Sequence, residues 1–307
     1  MEALENLPAT VGYGIVLGSI LTLGAVGLTL IYGIVRFANF AHGDLMTLGA
    51  YVTMLFTAQI FPALGITDNR FGSLSFGWIF LLSFIPAILI TGGVAVVFDR
   101  LVYKRLKDNR VGAVMLAISS LAAAFVIRSL IEILWGTDFH FYTQGLRPMM
   151  VLPLGVKLRP DQIFIIATAL VLVFVLYIFL QRTKMGKALR AMADNPDLAR
   201  VSGIPTERMT SLTWMIGGGM TATSGILLGL DSQLRPEMGW VLLLPLFASV
   251  ILGGIGNPFG ALVGAMTLGI TQQVSTLFLS PAYKPAVAFF LLILILLVRP
   301  EGIFGGE

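Results

Sequence analysis

Residues 9–34 read ATVGYGIVLGSILTLGAVGLTLIYGI and contain no charged side chain. A helix needs about 20 predominantly apolar residues to cross the hydrocarbon core of a bilayer, so this run predicts a membrane span. The 307-residue chain has the same character throughout: 57% of its residues are hydrophobic, 12% are charged and the mean hydropathy is +0.91. A soluble domain has about 25% charged residues. The sequence therefore predicts an all-α, polytopic integral membrane protein.

Eight further apolar runs follow the first, which predicts about eight or nine transmembrane or re-entrant helices. The runs at 239–255 and 260–279 are short or interrupted by glycine, so each is a candidate re-entrant segment. We expect residues 1–307 to form a single transmembrane domain. The nine predicted spans are 9–34, 38–61, 77–100, 112–134, 162–180, 211–230, 239–255, 260–279 and 284–298.

The basic residues are unevenly distributed between the predicted loops. If the spans alternate, thirteen of the 20 Lys and Arg residues fall on one side, mostly at 100–110 and 182–208, with Arg36 and Arg299. Lys and Arg in short loops are retained in the cytoplasm, so both basic loops and the C-terminus are predicted to be cytosolic. The net charge of +4 thus reflects loops, and without a soluble basic domain we expect no nucleic-acid partner.

Several kinds of chemistry are disfavoured. The absence of Cys excludes thiolate metal sites and a Cys nucleophile, and two His leave little for metal binding. The phosphate-binding motif G-x-x-x-x-G-K-[ST] is missing, since Gly186-Lys187 is followed by Ala188. We therefore expect no enzyme activity and no cofactor bound by this chain. Asp44 and Glu132 are the internal carboxylates, a small set for an ion-driven transporter, although that mechanism stays open.

The long basic loop at about 181–210 has the pattern of two short helices. Lys187 to Ala193 are helix formers, and Asn195 then suits an N-cap with Pro196 at the first helical position and Gly203 at the C-terminal cap. Leu198 and Val201, three apart, share one face of the second helix. This amphipathic helix suits a groove on a partner protein; alternatively, the loop is a charged connector whose apolar residues lie on lipid headgroups.

Polar residues interrupt the apolar runs at 36–44 and again in the later spans. Either Asn39 or Asp44 caps the second span, or this helix start lies within the membrane and lines a solute path, where its N–H groups attract a carboxylate. Polar residues in the later spans either bond across helices or face the same path. The candidate path residues are Asn39, His42, Asp44, Thr221, Thr223 and Gln272.

Two further patterns concern the outer side and the packing. Arg128 and Glu132 are four apart near the outer end of the fourth span, which predicts either an interfacial ion pair or part of an outer gate. The external loop at 135–160 is a candidate landing surface for a soluble protein. Gly256, Gly260 and Gly264 recur every four positions, which predicts a helix face that allows close packing.

Five short motifs occur together, and their order and spacing along the chain are more specific than any one of them. They are GLTLIYG at 27–33, NFAHG at 39–43, GKALRA at 186–191, GGIGN at 253–257 and RPEGIF at 299–304. With this order and spacing, the chain resembles the branched-chain amino acid ABC transporter permease family, of the LivH type, through nearly its whole length.

The resemblance implies an ABC importer permease fold and a multi-pass protein of the bacterial inner membrane, surrounded by lipid. It implies a homologous second permease of the LivM type, two cytosolic ATPase subunits that hold ATP and magnesium, and a periplasmic substrate-binding protein. The basic loop would then couple to an ATPase. The candidate coupling residues are Lys187, Arg190, Asn195, Pro196, Leu198, Arg200, Val201 and Gly203.

The substrate that the resemblance implies is a branched-chain or related amino acid carried into the cell. Two alternatives remain open. One is a permease of the same family for urea, an amide or another amino acid; the other is a stand-alone secondary transporter or channel.

Overall fold

The structure is a computed structural model, and it is mostly helical. It describes residues 6–66, 68–69, 71–143, 149–151, 156–299 and 301–305. The helices are α1 Leu7–Val35, α2 His42–Leu55, α3 Trp78–Phe98, α4 Ala113–Trp135, α5 Pro160–Arg182, α6 Lys184–Asp194, α7 Pro196–Val201, α8 Thr206–Asp231, α9 Met238–Gly253, α10 Pro258–Val274 and α11 Lys284–Val298.

Short segments extend this set of helices. α2 and α3 continue through the π-helical turns Phe56–Ile60 and Asp99–Tyr103 into the helical turns Phe61–Ala63 and Lys104–Asp108, and 3-10 turns at Ser275–Leu277 and Pro281–Tyr283 join α10 to α11. Between α4 and α5, β1 (Met150–Val151) pairs antiparallel with β2 (Lys157–Leu158), with Met150 opposite Leu158.

Each of the nine predicted spans corresponds to one helix. By length and composition, six helices of the described chain could each cross a membrane: Leu7–Val35, His42–Ala63, Trp78–Asp108, Ala113–Trp135, Pro160–Arg182 and Pro281–Val298. α9 and α10 have 16 and 17 residues, and α8 is long enough but rich in glycine and hydroxyl side chains. Eight or nine crossings therefore stay a prediction. The second span begins later than predicted, at His42, because Arg36 ends α1 with a left-handed φ of 56°.

α1 lies at the centre of the bundle, since 83% of its most apolar stretch of 18 residues is buried inside the protein. The corresponding value for Pro281–Val298, which includes α11, is 6%. Glycines bring its neighbours close. Gly14 lies against the backbone of Ile270 on α10, and Gly27 lies against the Gly217 carbonyl on α8. A Cβ at Gly225 on α8 would collide with the Met46 carbonyl on α2. Close backbone approach through small residues is the usual way in which helices associate where the surrounding solvent is lipid.

The predicted glycine face on α10 is correct at two of its three positions. Gly260 packs against the Gly253 carbonyl and Gly264 packs against the Ser249 carbonyl, both on α9. Gly256, however, precedes the helix and lies in the α9–α10 turn with a φ of +87°, a conformation that favours glycine. The regular spacing therefore reflects two different requirements: close helix packing at Gly260 and Gly264, and a left-handed backbone conformation at Gly256.

The basic segments come together at one end of the bundle. The Arg36 guanidinium donates to the carbonyls of Ala193 and Asp194 at 3.1 and 3.4 Å. Lys104, in the helical turn after α3, pairs with Glu207 at the start of α8, at 2.8 Å. We call this the basic end.

Different contacts join the elements at the opposite end. Arg159, before α5, forms an ion pair with Asp231 at the end of α8, at 2.8 Å. The Lys284 ammonium donates to Gln273 at 2.7 Å. These contacts lie at the start of α5 and the ends of α8 and α10, away from the basic end.

Candidate functional site

α2 begins inside the bundle rather than at its end. After Arg36, residues 37–41 turn back, and the His42 ring lies 2.9 Å from the Gly24 carbonyl on α1. Gly24 lies about 16 Å from the end of α1, at 1.5 Å per residue. Asn39, His42 and Asp44 have no exposed surface. The start of α2 is thus a polar segment deep within the helices.

Of the two residues expected to cap α2, Asn39 satisfies one backbone N–H at the start of the helix, but neither forms an N-cap hydrogen bond. The N-cap residue is Ala41, and no side chain caps the helix. Asn39 Oδ1 instead accepts from the N–H of Ala41 at 3.1 Å, within the turn, while its Nδ2 is buried with no partner among the described residues. The turn is also held by Ser120 on α4, whose hydroxyl accepts from the N–H of Phe40 at 2.9 Å.

His42 joins three helices. Its Nε2 lies 2.9 Å from the Thr221 hydroxyl on α8 as well as 2.9 Å from the Gly24 carbonyl on α1. Thr221 also donates to the Gly217 carbonyl at 2.7 Å. The imidazole is therefore fixed by partners on both neighbouring helices, and any movement of α2 relative to α1 or α8 must break one of these contacts.

Asp44 and Arg128 form an ion pair across the bundle. Nε and Nη2 of Arg128 donate to the two carboxylate oxygens at 2.9 and 3.1 Å. The Asp44 side chain is fully buried and that of Arg128 is 16% exposed. The guanidinium also lies over the rings of Trp240 and Phe125, at 4.9 and 5.6 Å from their centroids. Cation–π contact and pairing each offset part of the cost of burying this charge.

This geometry corrects the prediction for Arg128. Its partner is Asp44 on another helix, and no ion pair with Glu132 is found among the described residues. A fully buried carboxylate requires a partner more than a half-buried one does, and Glu132 is only partly buried. The residue predicted for an outer gate thus joins the residues predicted for the path.

Two of the other predicted path residues lie elsewhere. Thr223 donates to the Gly219 carbonyl within its own helix at 2.9 Å. Gln272 donates to the Lys284 carbonyl at 3.0 Å and so joins α10 to α11. The site therefore consists of a smaller set, which we call the polar cluster: Asn39, His42, Asp44, Thr221 and Arg128.

The sequence patterns did not identify three residues that complete this site. Ser120 holds the turn before α2, Trp240 covers the guanidinium, and Thr47 accepts from the N–H of Gly239 at 3.0 Å. Ser120 is a polar residue inside a predicted span, which was an available signal. Trp240 and Thr47 act across helices distant in the chain, and no local pattern indicates such contacts.

The loop predicted as a landing surface is only partly described, because residues 144–148 and 152–155 lie outside the described residues. Tyr142 fixes its described part. The phenol donates to the Ala50 carbonyl on α2 at 2.8 Å, and the ring meets Phe80 edge-on at 5.1 Å. Burial raises the pKa of Tyr142 well above its ordinary value, so the phenol stays a neutral donor at physiological pH.

At the basic end, α6 and α7 confirm the two short predicted helices. Asn195 Oδ1 accepts from the N–H groups of Asp197 and Leu198 at 3.1 and 3.0 Å, and Pro196 is the first residue of α7. Gly203 follows α7 with a φ of +83°. Its N–H donates to the Arg200 carbonyl, and the N–H of Ile204 donates to the Ala199 carbonyl. This pair of bonds is a Schellman motif.

The α7 helix presents apolar side chains outward. Leu198 is 65% and Val201 86% exposed, whereas Ala199 packs inward with 3% exposure. Lys187, Arg190 and Arg200 are exposed as well. Large exposed apolar side chains between exposed charges on a short, well-capped helix suit a protein partner. The Arg36 contacts to the end of α6 join this surface to α1.

A bundle of membrane-crossing helices that encloses paired charges at an internal helix start is suited to carrying a polar solute through the bilayer. The fold and the polar cluster define a polytopic membrane permease. Residues 10–296 match the family model of the permease component of branched-chain amino acid transport systems, and the chain belongs to this family.

Curated relatives agree along almost the whole chain. The high-affinity branched-chain amino acid transport system permease protein LivH of Escherichia coli is 31% identical over 95% of this chain and 93% of its own. The corresponding protein BraD of Pseudomonas aeruginosa is 30% identical, covering 95% and 94%. The probable LivH of Methanocaldococcus jannaschii is 27% identical, covering 95% and 91%.

A solved structure shares the fold. PsaBC from Streptococcus pneumoniae, in complex with a Fab, superposes with a TM-score of 0.51 over 99% of this chain and 97% of that one, at 15% identity. At this identity the similarity concerns the fold alone.

Proposed function

We propose that this chain is the permease subunit of an ATP-driven importer, and that branched-chain or related amino acids pass through it into the cell. The observation that carries the proposal is the Asp44–Arg128 ion pair at the internal start of α2. The relatives named for branched-chain amino acid transport supply the substrate class.

The ion pair matches the chemistry of an amino acid. The solute has a carboxylate and an ammonium, and Arg128 and Asp44 offer one charge complementary to each. When the transporter opens this region, the solute exchanges partners with the pair, so that no charge is left unpaired in the membrane. The aliphatic side chain needs only apolar contact. Such exchange gives weak binding, which is appropriate for a path if a periplasmic binding protein provides recognition.

The exposed face of α7 is the element that we propose for coupling. Leu198 and Val201 would enter a groove on a cytosolic ATPase subunit, which holds ATP and magnesium. The Arg36 contacts would transmit a movement of α6 to the end of α1, which precedes the turn into the polar cluster. In this arrangement the basic end and the C-terminus face the cytosol of a bacterium, and the outer loops face the binding protein.

We propose the same partners that the family resemblance implies: a homologous permease, two ATPase subunits and a periplasmic binding protein. The test is reconstitution of this complex in vesicles. Uptake of radiolabelled leucine should require both ATP on the ATPase side and the binding protein, and it should fall to background in the Asp44→Asn, Arg128→Gln double variant.

The result also separates the alternatives. Stimulation of the ATPase by urea or an amide, with its own binding protein, but not by leucine, would change the substrate. Uptake driven by an ion gradient in a preparation free of ATPase subunits would overturn the proposed class. Arg235→Gln is a matched control, because Arg235 pairs with Glu237 at 3.8 Å on the surface.

A further inference from the structure

A cavity of about 680 Å³ lies at the basic end, away from the polar cluster. It is lined by α1, α5, α6, α8 and the start of α10. Small-molecule sites in proteins are typically cavities of about 300–1,000 Å³. The cavity is therefore large enough to hold a ligand. The predicted path does not use it, and of the candidate coupling residues Lys187 and Arg190 line its rim.

The walls of this cavity are apolar along two helices. α1 contributes a stripe about 12 Å long and α5 one of about 10 Å, at 1.5 Å per residue. The lining residues of these stripes are Val26, Leu30 and Ile34 on α1, and Val173, Leu176 and Leu180 on α5. The apolar character of the walls suits a hydrocarbon chain, and their length suits part of one.

Polar groups in the wall are already occupied within the protein. The Thr213 hydroxyl donates to the Met209 carbonyl at 2.9 Å, and Asn257 Oδ1 accepts from the N–H groups of Phe259 and Gly260. The Thr29 hydroxyl accepts from the N–H of Gly256 at 2.9 Å. A polar solute would therefore find few free partners along the walls.

The charged residues lie at one rim. Lys187 and Arg190 on α6 line the cavity there, and Arg190 uses one guanidinium nitrogen to donate to Gln181 at 3.0 Å. Asp194 lines the same rim, and Arg36 lies beside it through its bonds to the end of α6. Three basic side chains against one acidic side chain favour an anion at this rim.

The α5 side of the cavity adjoins the membrane. Only 17% of the most apolar window of α5 is buried in the protein, so its outer faces are free to contact lipid. Tyr177 on α5 and Phe259 on α10 line the cavity, are both partly exposed and meet edge-on at 5.1 Å. A membrane molecule would therefore reach the cavity beside these two rings.

We propose that this cavity binds an anionic phospholipid of the cytosolic leaflet, with an acyl chain between α1 and α5 and the phosphate held by Lys187 and Arg190. Basic pockets between membrane helices on the cytoplasmic side bind anionic headgroups in this way. The inference rests on the proposed function for placing the basic end in the cytosol. The lipid would brace α6 against α1 and so stiffen the coupling segment.

The experiment measures lipid retained by the purified complex. The complex is incubated in vesicles of phosphatidylethanolamine with a minor fraction of phosphatidylglycerol, extracted in detergent, and its bound lipids are quantified by mass spectrometry. Wild type should retain phosphatidylglycerol above its share in the vesicles. The Lys187→Gln, Arg190→Gln variant should retain about tenfold less, the loss expected for a charge-assisted hydrogen bond.

A second variant removes the lipid without altering charge. Gly33 lines the cavity, and a Cβ there would have as its nearest neighbours Gly256 and Ala193, at 3.9 and 4.0 Å. Gly33→Leu should therefore fill the cavity, fold normally and lose phosphatidylglycerol. The matched controls are Lys184→Gln, on the same helix, and Gly93→Leu on α3, where a Cβ meets nothing within 4 Å; both should retain it.

The outcomes are distinct. Equal retention by Gly33→Leu and wild type, or no enrichment of phosphatidylglycerol in wild type, would overturn the inference. Loss of bound radiolabelled leucine rather than lipid from Gly33→Leu would also overturn it, since the cavity would then belong to the solute path. In wild type, retained lipid without ATP-dependent uptake counts against the proposed function alone, whereas normal uptake without retained lipid counts against this inference alone.

Discussion

The Asp44 carboxylate accepts two hydrogen bonds from the Arg128 guanidinium, although 84 residues separate them in the chain. The pair ties the internal start of α2 to α4. Because Asp44 is fully buried, removing either partner leaves the other charge in a low-dielectric environment.

Replacing Asp44 by Asn should therefore destabilise the protein by about 3–5 kcal/mol, the usual cost of breaking a buried pair. The measurement is thermal unfolding in detergent, followed by size-exclusion chromatography. Glu237→Gln removes an exposed partner of Arg235 and should change stability by less than about 1 kcal/mol. Equal shifts for the two variants would show that Asp44 is not held as the structure has it.

Replacing Thr221 by Val should weaken the contact between α2 and α8. The change keeps the shape of the side chain but removes one of the two partners of the buried His42, which should cost about 1 kcal/mol because the Gly24 carbonyl remains. Thr223→Val is the matched control two positions away, because the Thr223 hydroxyl bonds only to the backbone of its own helix. Unfolding of the two variants at the same temperature would contradict the role given to His42.

The sequence predicted those features that depend on local pattern. Apolar length marked the nine helices that correspond to the predicted runs, and Asn195 and Gly203 marked the ends of α7, because capping acts within a few residues. The partner of Arg128 was predicted wrongly. Helical neighbours pointed to Glu132, while the true partner depends on how α2 and α4 pack, which no local pattern encodes.

For the internal start of α2, the sequence predicted the interruption of the apolar runs but left its depth in the bundle open. The polar residues between 36 and 44 marked an interruption, but whether they lay at the end of the bundle or within it depended on the chain turning back after Arg36. A non-glycine residue with a left-handed φ gives no sequence signal of its own. The contact of His42 with Gly24 fixed the depth, and this contact depends on tertiary packing.

Replacing Gly239 by Ala should separate α9 from α2. A Cβ at this position would collide with the Gly43 carbonyl, so the helices must move apart and lose the bond from Gly239 to Thr47. We expect a loss of about 1–3 kcal/mol in thermal unfolding, as for other overpacked sites. Gly93→Ala should instead be neutral or stabilising by up to about 1 kcal/mol, because space is free and Ala favours helix.

Replacing Leu198 and Val201 by Ser should uncouple the permease from its ATPase partners without unfolding it. Both side chains are exposed, so the thermal stability of the isolated chain should change by less than about 0.5 kcal/mol. Copurification of ATPase subunits and substrate-stimulated ATPase activity should both fall. Leu64→Ser is the control, since Leu64 is 69% exposed after α2, and it should leave both readouts unchanged. Undiminished copurification would favour the connector interpretation of this loop.

Replacing Asn195 by Ala should act on the same surface in a different way. Asn195 Oδ1 holds the N–H groups of Asp197 and Leu198, so its loss should destabilise the six-residue α7 by about 1 kcal/mol. Since Ala199 is the one buried residue of α7, global unfolding should shift little. Hydrogen exchange of α7 should accelerate and ATPase stimulation should weaken. Asn195→Asp retains a capping oxygen and should restore both, whereas a direct contact of the Asn195 amide with the ATPase predicts that Asp fails as Ala does.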